Sequence, residues 1–132
     1  LGNGEQAKMG SISADYEHFA DWLKLDEGDR RDKMLPMEAL LKIVCDKRRF
    51  LDLFENFILY TDTAKGPAKI LAKNHQYLGV NRAVEAVERR ESLKGKLGVF
   101  WHTQGSGKSF SMALFTQSLA SSGSMRGASR RL

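Results

Sequence analysis

Lys108 and Ser109 follow two glycines in the run Thr103-Gln104-Gly105-Ser106-Gly107-Lys108-Ser109. Glycines at alternate positions let a backbone curl until successive N–H groups point at one anion. A lysine just after them supplies a compact positive charge. The hydroxyl beside it suits Mg²⁺, which keeps several waters and bridges phosphate oxygens. The chemistry on offer is capture of a nucleoside triphosphate, and ATP with Mg²⁺ is the expected pair. In that reading Thr103, Gln104, Gly105, Ser106 and Gly107 form the cradle. Lys108 acts on the β- and γ-phosphates and is the one catalytic candidate, and Ser109 is the metal ligand.

Such a loop works only if neighbouring elements aim it. Upstream, Leu97-Gly98-Val99-Phe100-Trp101 reads as a short buried strand at the edge of a parallel sheet; downstream, a helix is expected from about Lys108 to Leu119. That helix would add its N-terminal dipole and unpaired amides to the anion site. The strict phosphate-loop pattern wants glycine at position 102, where this chain has His102. Helicase-type motors commonly use Thr-x-Gly-x-Gly-Lys-Ser instead, and Thr103 to Ser109 agrees with that form at every fixed position. Other candidate clusters are weaker. His18, His75 and His102 lack the spacing of metal ligands. Lys47-Arg48-Arg49 and Arg89-Arg90 read as solvated faces, with contact to DNA phosphates as the alternative. Cys45 sits in an apolar stretch and reads as a small buried side chain.

The remaining elements follow from spacing. Residues 1–12 show no period and read as an extended lead-in. From Ser13, a plausible N-cap, Tyr16, Phe19, Ala20 and Leu23 fall on one helical face. Asp26 to Lys33 is a charged loop. Pro36 opens a helix with Ala39, Leu40, Ile43 and Val44 inward, and Asp46 caps another with Phe50, Leu53, Phe54 and Phe57 on one side. Phe57-Ile58-Leu59-Tyr60 reads as a short strand. The loop Thr61 to Pro67 reads as a boundary, because Gly66-Pro67 interrupts helix and sheet alike. Gln76, Val80, Ala83, Val84 and Val87 mark a long helix over roughly 71–90, which Gly79 weakens. The end from Ser121 has the composition of a disordered tail.

Composition sets outer bounds. The chain has 132 residues, 42% hydrophobic and 28% charged, enough for about one small domain. No apolar run approaches the roughly 20 residues that cross a bilayer, and no leader pattern is visible, so a cytoplasmic protein away from membranes is expected. One cysteine excludes an internal disulfide. The net charge of +5 is compatible with nucleic acid without requiring it. The chain begins at Leu1 and ends soon after its richest motif, which reads as a piece of a larger polypeptide.

A resemblance covers most of this length. Ala72-Lys73-Asn74-His75-Gln76-Tyr77-Leu78, Val80-Asn81-Arg82-Ala83-Val84 and Gly98 through Ser109 resemble the restriction (R) subunit of type I restriction-modification enzymes. The run Trp101-His102-Thr103-Gln104-Gly105-Ser106-Gly107-Lys108-Ser109 carries it most specifically. Phe19, Trp22 and Leu51 to Tyr60 resemble the region joining that family's nuclease to its motor. The resemblance implies an N-terminal nuclease followed by two RecA-like helicase domains that pull double-stranded DNA using ATP, alongside methyltransferase and specificity subunits. It makes Thr103–Ser109 helicase motif I and makes Gln76 the upstream glutamine that reads the adenine edge, an amide being both donor and acceptor. A helix-surface amide is the alternative for Gln76. Departures are visible too. No Asp-Glu pair follows Ser109, no second motor is present, and no Asp…Glu-x-Lys nuclease set occurs.

The expected fold is therefore α/β: a helical connector over 1–66, the truncated start of a RecA-like P-loop NTPase (helicase) domain over 67–120, and a tail over 121–132. The expected function is the ATP-binding segment of an enzyme whose full length is an ATP-dependent endonuclease and translocase. A non-catalytic module docking DNA or a partner subunit, and another P-loop NTPase such as a small kinase, are the alternatives.

Overall fold

A computed structural model of the chain describes residues 1–3, 5–12, 14–24, 34–64 and 66–122. The chain divides into two compact units, Leu1–His75 and Gln76–Leu132. Among the described residues it is a small α/β protein with two antiparallel two-stranded sheets. The charged stretch 26–33 and the tail from 123 lie outside the described residues.

In the first unit, the lead-in is more ordered than its composition suggests. Gly2 bridges Ala7, and β1 (Lys8–Met9) pairs antiparallel with β2 (Ala20–Asp21). The helix expected from Ser13 is absent; only a single 3-10 turn, Tyr16–His18, forms there, and Ser13 itself is outside the described residues. The aromatic spacing has another cause. Tyr16 and Phe19 stack at 6.2 Å between centroids, and the Lys8 ammonium lies over the Tyr16 ring. Pairing with β1 then takes Ala20 and Asp21 into a strand, a tertiary contact overriding a weak local preference. Trp22, next in line, is fully buried.

α1 (Pro36–Val44) starts on the proline, whose fixed φ and missing N–H suit the first helical position. It buries Ala39, Ile43 and Val44, while Glu38 and Lys42 pair across one turn on the open side. Cys45 ends the helix and is exposed, contrary to the buried side chain expected; it lies past the buried face, at the turn into the next helix. α2 (Lys47–Asn56) is capped by Asp46, whose carboxylate accepts from the Arg49 N–H at 3.1 Å. Of its apolar residues Leu53 is buried, as is Phe57 just beyond it, whereas Phe50, Leu51 and Phe54 face outward.

β3 (Ile58–Thr63) and β4 (Gly66–Leu71) form a hairpin with Ile58 opposite Leu71 and Thr63 opposite Gly66. The loop expected over 61–67 is thus mostly paired strand. Gly66, at a φ of +110°, makes the turn, and the Thr63 hydroxyl donates to the Gly66 carbonyl. A two-stranded ribbon tolerates Pro67, since each strand has an open side where a missing donor costs little. Ala72 N–H donates to the Phe57 carbonyl, tying the hairpin's base together. The Asn74 amide closes the unit: it accepts from the Lys24 N–H and donates to the Lys24 carbonyl, each at 3.0 Å.

α3 (Asn74–Glu88) matches the long helix expected, and its residues from Gln76 onward belong to the second unit. Arg89 to Gly95 reverse the chain, with Lys94 and Gly95 at positive φ. α4 (Lys108–Ser121) matches the helix expected after the loop and buries Ser111, Leu114 and Ser118. The strand expected over 97–101 does not form. That segment lies outside any sheet, with Val99 92% and Trp101 78% exposed. A strand needs a neighbouring ladder, none of the described strands lies in this unit, and Gly98 at φ +108° interrupts the pleat.

Candidate functional site

The loop between the extended segment and α4 takes its shape from its glycines. Gly105 and Gly107 have φ of +79° and +81°, the left-handed region that side chains disfavour. Between them Ser106 N–H donates to the Thr103 carbonyl, so the chain turns back on itself before α4 begins. Gly107 is the N-cap of α4, and Ser111 N–H takes its carbonyl at 3.1 Å. A Cβ on Gly105 would meet nothing within 4 Å, so the loop's outer side opens to solvent.

The lysine is turned into this loop. Its Nζ donates to the carbonyls of His102 at 2.8 Å and Thr103 at 3.0 Å. Thr103, Gln104, Gly105, Lys108 and Ser109 are exposed, and Ser106 and Gly107 are half-buried. Positive charge, turned backbone and the start of a 14-residue helix therefore meet at one exposed place.

Gln76 joins them from 31 residues upstream. It is only 4% exposed, and its Nε2 donates to the Gly107 carbonyl at 3.1 Å. The surface amide considered as the alternative is not what the structure contains. Ser111 Oγ also donates to Gly107, at 3.3 Å. Spacing had given no reason to single out Ser111, since its partner is a backbone atom one helical turn back. Every sequence-derived site residue thus lies on the loop, at the first turn of α4 or, for Gln76, in hydrogen-bond contact with the loop.

The residues present suit a nucleoside triphosphate. Left-handed glycines leave room for backbone to approach an anion, and a cation stands beside them. Mg²⁺ fits the exposed Ser109 hydroxyl, because that ion binds largely through phosphate and water rather than an all-protein cage. Among the described residues no cluster of three His, Cys, Asp or Glu could hold a metal alone.

Residues 75–129 match the SWI2/SNF2 ATPase family model, a stretch that takes in most of α3, the glycine loop and α4. Over 90% of its length the chain is 36% identical to the type I restriction enzyme HindI endonuclease subunit of Haemophilus influenzae, covering 12% of that protein. It is 23% identical over 89% of its length to the putative MjaIXP endonuclease subunit of Methanocaldococcus jannaschii, covering 13% of it. It is 37% identical over 48% of its length to the putative MjaVIIIP endonuclease subunit of the same organism, covering 7%. The curated relatives that the chain matches are thus type I restriction enzyme endonuclease subunits, and it spans about an eighth of the length of the first two. No solved structure matches it.

Proposed function

We propose that the chain is the ATP-binding segment of a type I restriction endonuclease subunit, with Thr103–Ser109 as helicase motif I. The observation that carries this reading is the lysine ammonium held within a left-handed glycine loop, with the buried Gln76 amide fastened to the loop's far end. The surrounding domain is proposed to be RecA-like. In the complete subunit ATP hydrolysis would drive translocation of double-stranded DNA and lead to its cleavage, in company with methyltransferase and specificity subunits in the cytoplasm. Among the described residues no helix is long and apolar enough to cross a membrane.

Each residue has a stated task. The amides from Gly105 to Lys108 bind phosphate oxygens, and the start of α4 favours the negative charge. Lys108 exchanges its carbonyl partners for the β- and γ-phosphates, a charge-assisted bond replacing two neutral acceptors. Ser109 offers a hydroxyl to Mg²⁺, and Gln76 pairs with the adenine edge. Bound Mg²⁺ would supply neutralisation of phosphate charge.

Titration of a fluorescent ATP analogue with Mg²⁺ against the chain and its Lys108→Ala variant tests the reading. Loss of a charged hydrogen bond of about 1.5–3 kcal/mol weakens affinity roughly ten- to hundredfold. Equal affinity of the two proteins removes the assignment.

A further inference from the structure

α3 meets the loop segment at two points, one helical turn apart. Gln76 reaches Gly107, where the loop passes into α4. Gly79 lies against the residues that lead into the loop. A Cβ there would fall 2.6 Å from Cε2 and 3.0 Å from Cζ of Phe100, and 3.6 Å from Nε2 of His102. The Phe100 and His102 rings themselves meet at 4.6 Å between centroids, tilted by 48°. His102 in turn provides the nearer of the two carbonyls that hold the Lys108 ammonium.

Nothing in the helix itself asks for glycine at 79. Its φ is not among the positive ones, and glycine inside a helix is disfavoured relative to alanine. The reason is space: Gly79 is buried, and the Phe100 ring occupies the place a side chain would take.

We propose that Gly79 is a positioning residue for the phosphate loop. Its missing side chain seats Phe100 and His102 on α3, so one helix fixes the loop's upstream side through Gly79 and its downstream side through Gln76. Where the strict loop pattern has glycine, this chain has His102, and the accommodating glycine stands on the facing helix instead. The proposal rests on the nucleotide-binding reading for its purpose, but the contact is measurable without nucleotide.

The test compares the full chain with Gly79→Ala, Phe100→Ala and the double variant. Three quantities are followed: melting temperature, the His102 ring-proton shifts with the hydrogen exchange of the Ser106 amide in nucleotide-free protein, and affinity for the fluorescent ATP analogue. If glycine were only a poor helix residue, Gly79→Ala would raise the melting temperature and leave His102 and Ser106 unchanged, which overturns the proposal. Positioning predicts moved His102 shifts, Ser106 exchange faster by several-fold and ATP affinity lower by about tenfold, a loss of about 1.4 kcal/mol. It also predicts that Gly79→Ala adds no further effect on His102, Ser106 or ATP affinity once Phe100→Ala has removed the ring, leaving only the gain in melting temperature that alanine brings to a helix. An additive effect on His102, Ser106 or ATP affinity in the double variant counts against it. Should the parent chain bind no ATP while His102 and Ser106 still respond, the nucleotide reading fails and the positioning contact stands.

Discussion

The Gly107 carbonyl accepts from Gln76 Nε2, from the Ser111 N–H and from the Ser111 hydroxyl. The same residue holds φ at +81°, and a Cβ on it would lie 2.8 Å from Gln76 Nε2. Gly105 shares the backbone conformation, at +79°, yet a Cβ there meets open space. The two glycines should therefore respond differently to alanine. Gly105→Ala carries only the left-handed penalty, roughly 1–2 kcal/mol. Gly107→Ala carries that penalty and also displaces the Gln76 amide, so it should weaken ATP-analogue binding about tenfold more than Gly105→Ala does. Equal losses would mean that the Gln76 contact does not matter to the loop. At this scale the sequence was informative about shape, because the left-handed turns at Gly105 and Gly107 and the start of α4 at Lys108 are set by neighbours along the chain. Gly79 was readable only as a weak point in a helix; its purpose lies in a ring 21 positions away in the sequence, and nothing in local spacing points there.

Among the elements, α2 illustrates what a cap contributes. Its first turn holds Lys47, Arg48 and Arg49 and no acidic residue, so three cations sit at the positive end of the helix dipole. Asp46 supplies the opposing charge and the hydrogen bond to Arg49 N–H. Asp46→Ala should lower stability by about 1–2 kcal/mol, toward the upper part of the range for lost caps, read from urea unfolding; Asp46→Asn, which keeps the acceptor and loses the charge, should fall between. A negligible change in the alanine variant would show that the cap is dispensable. Elements with such local instructions were legible: Pro36 for α1, Asp46 for α2, the apolar period for α3. Those that depend on distant partners were not. Tyr16 and Phe19 carried helical spacing but stack on each other beside a strand pair, and the apolar run at 97–101 carried strand composition with no ladder to join.

For the molecule as a whole, that apolar run is a surface property. Val99 and Trp101 stand far out of the core, next to exposed Leu97 and Phe100, on a chain whose charge of +5 is modest. Contiguous apolar exposure of this kind promotes association. Val99→Lys should reduce self-association at high protein concentration, measured by light scattering, without lowering the melting temperature. Unchanged scattering would mean that another surface governs solubility. The amide of Asn74 has a different reach. By gripping the main chain of Lys24 from both sides, it closes a ring of 50 residues, and closing so long a ring costs chain entropy before any contact repays it. Both hydrogen bonds should therefore form after α1, α2 and the hairpin have shortened the path between their ends. The expected outcome is that the Lys24 amide gains hydrogen-exchange protection later in refolding than the amides of α1 and α2, and simultaneous protection would count against it.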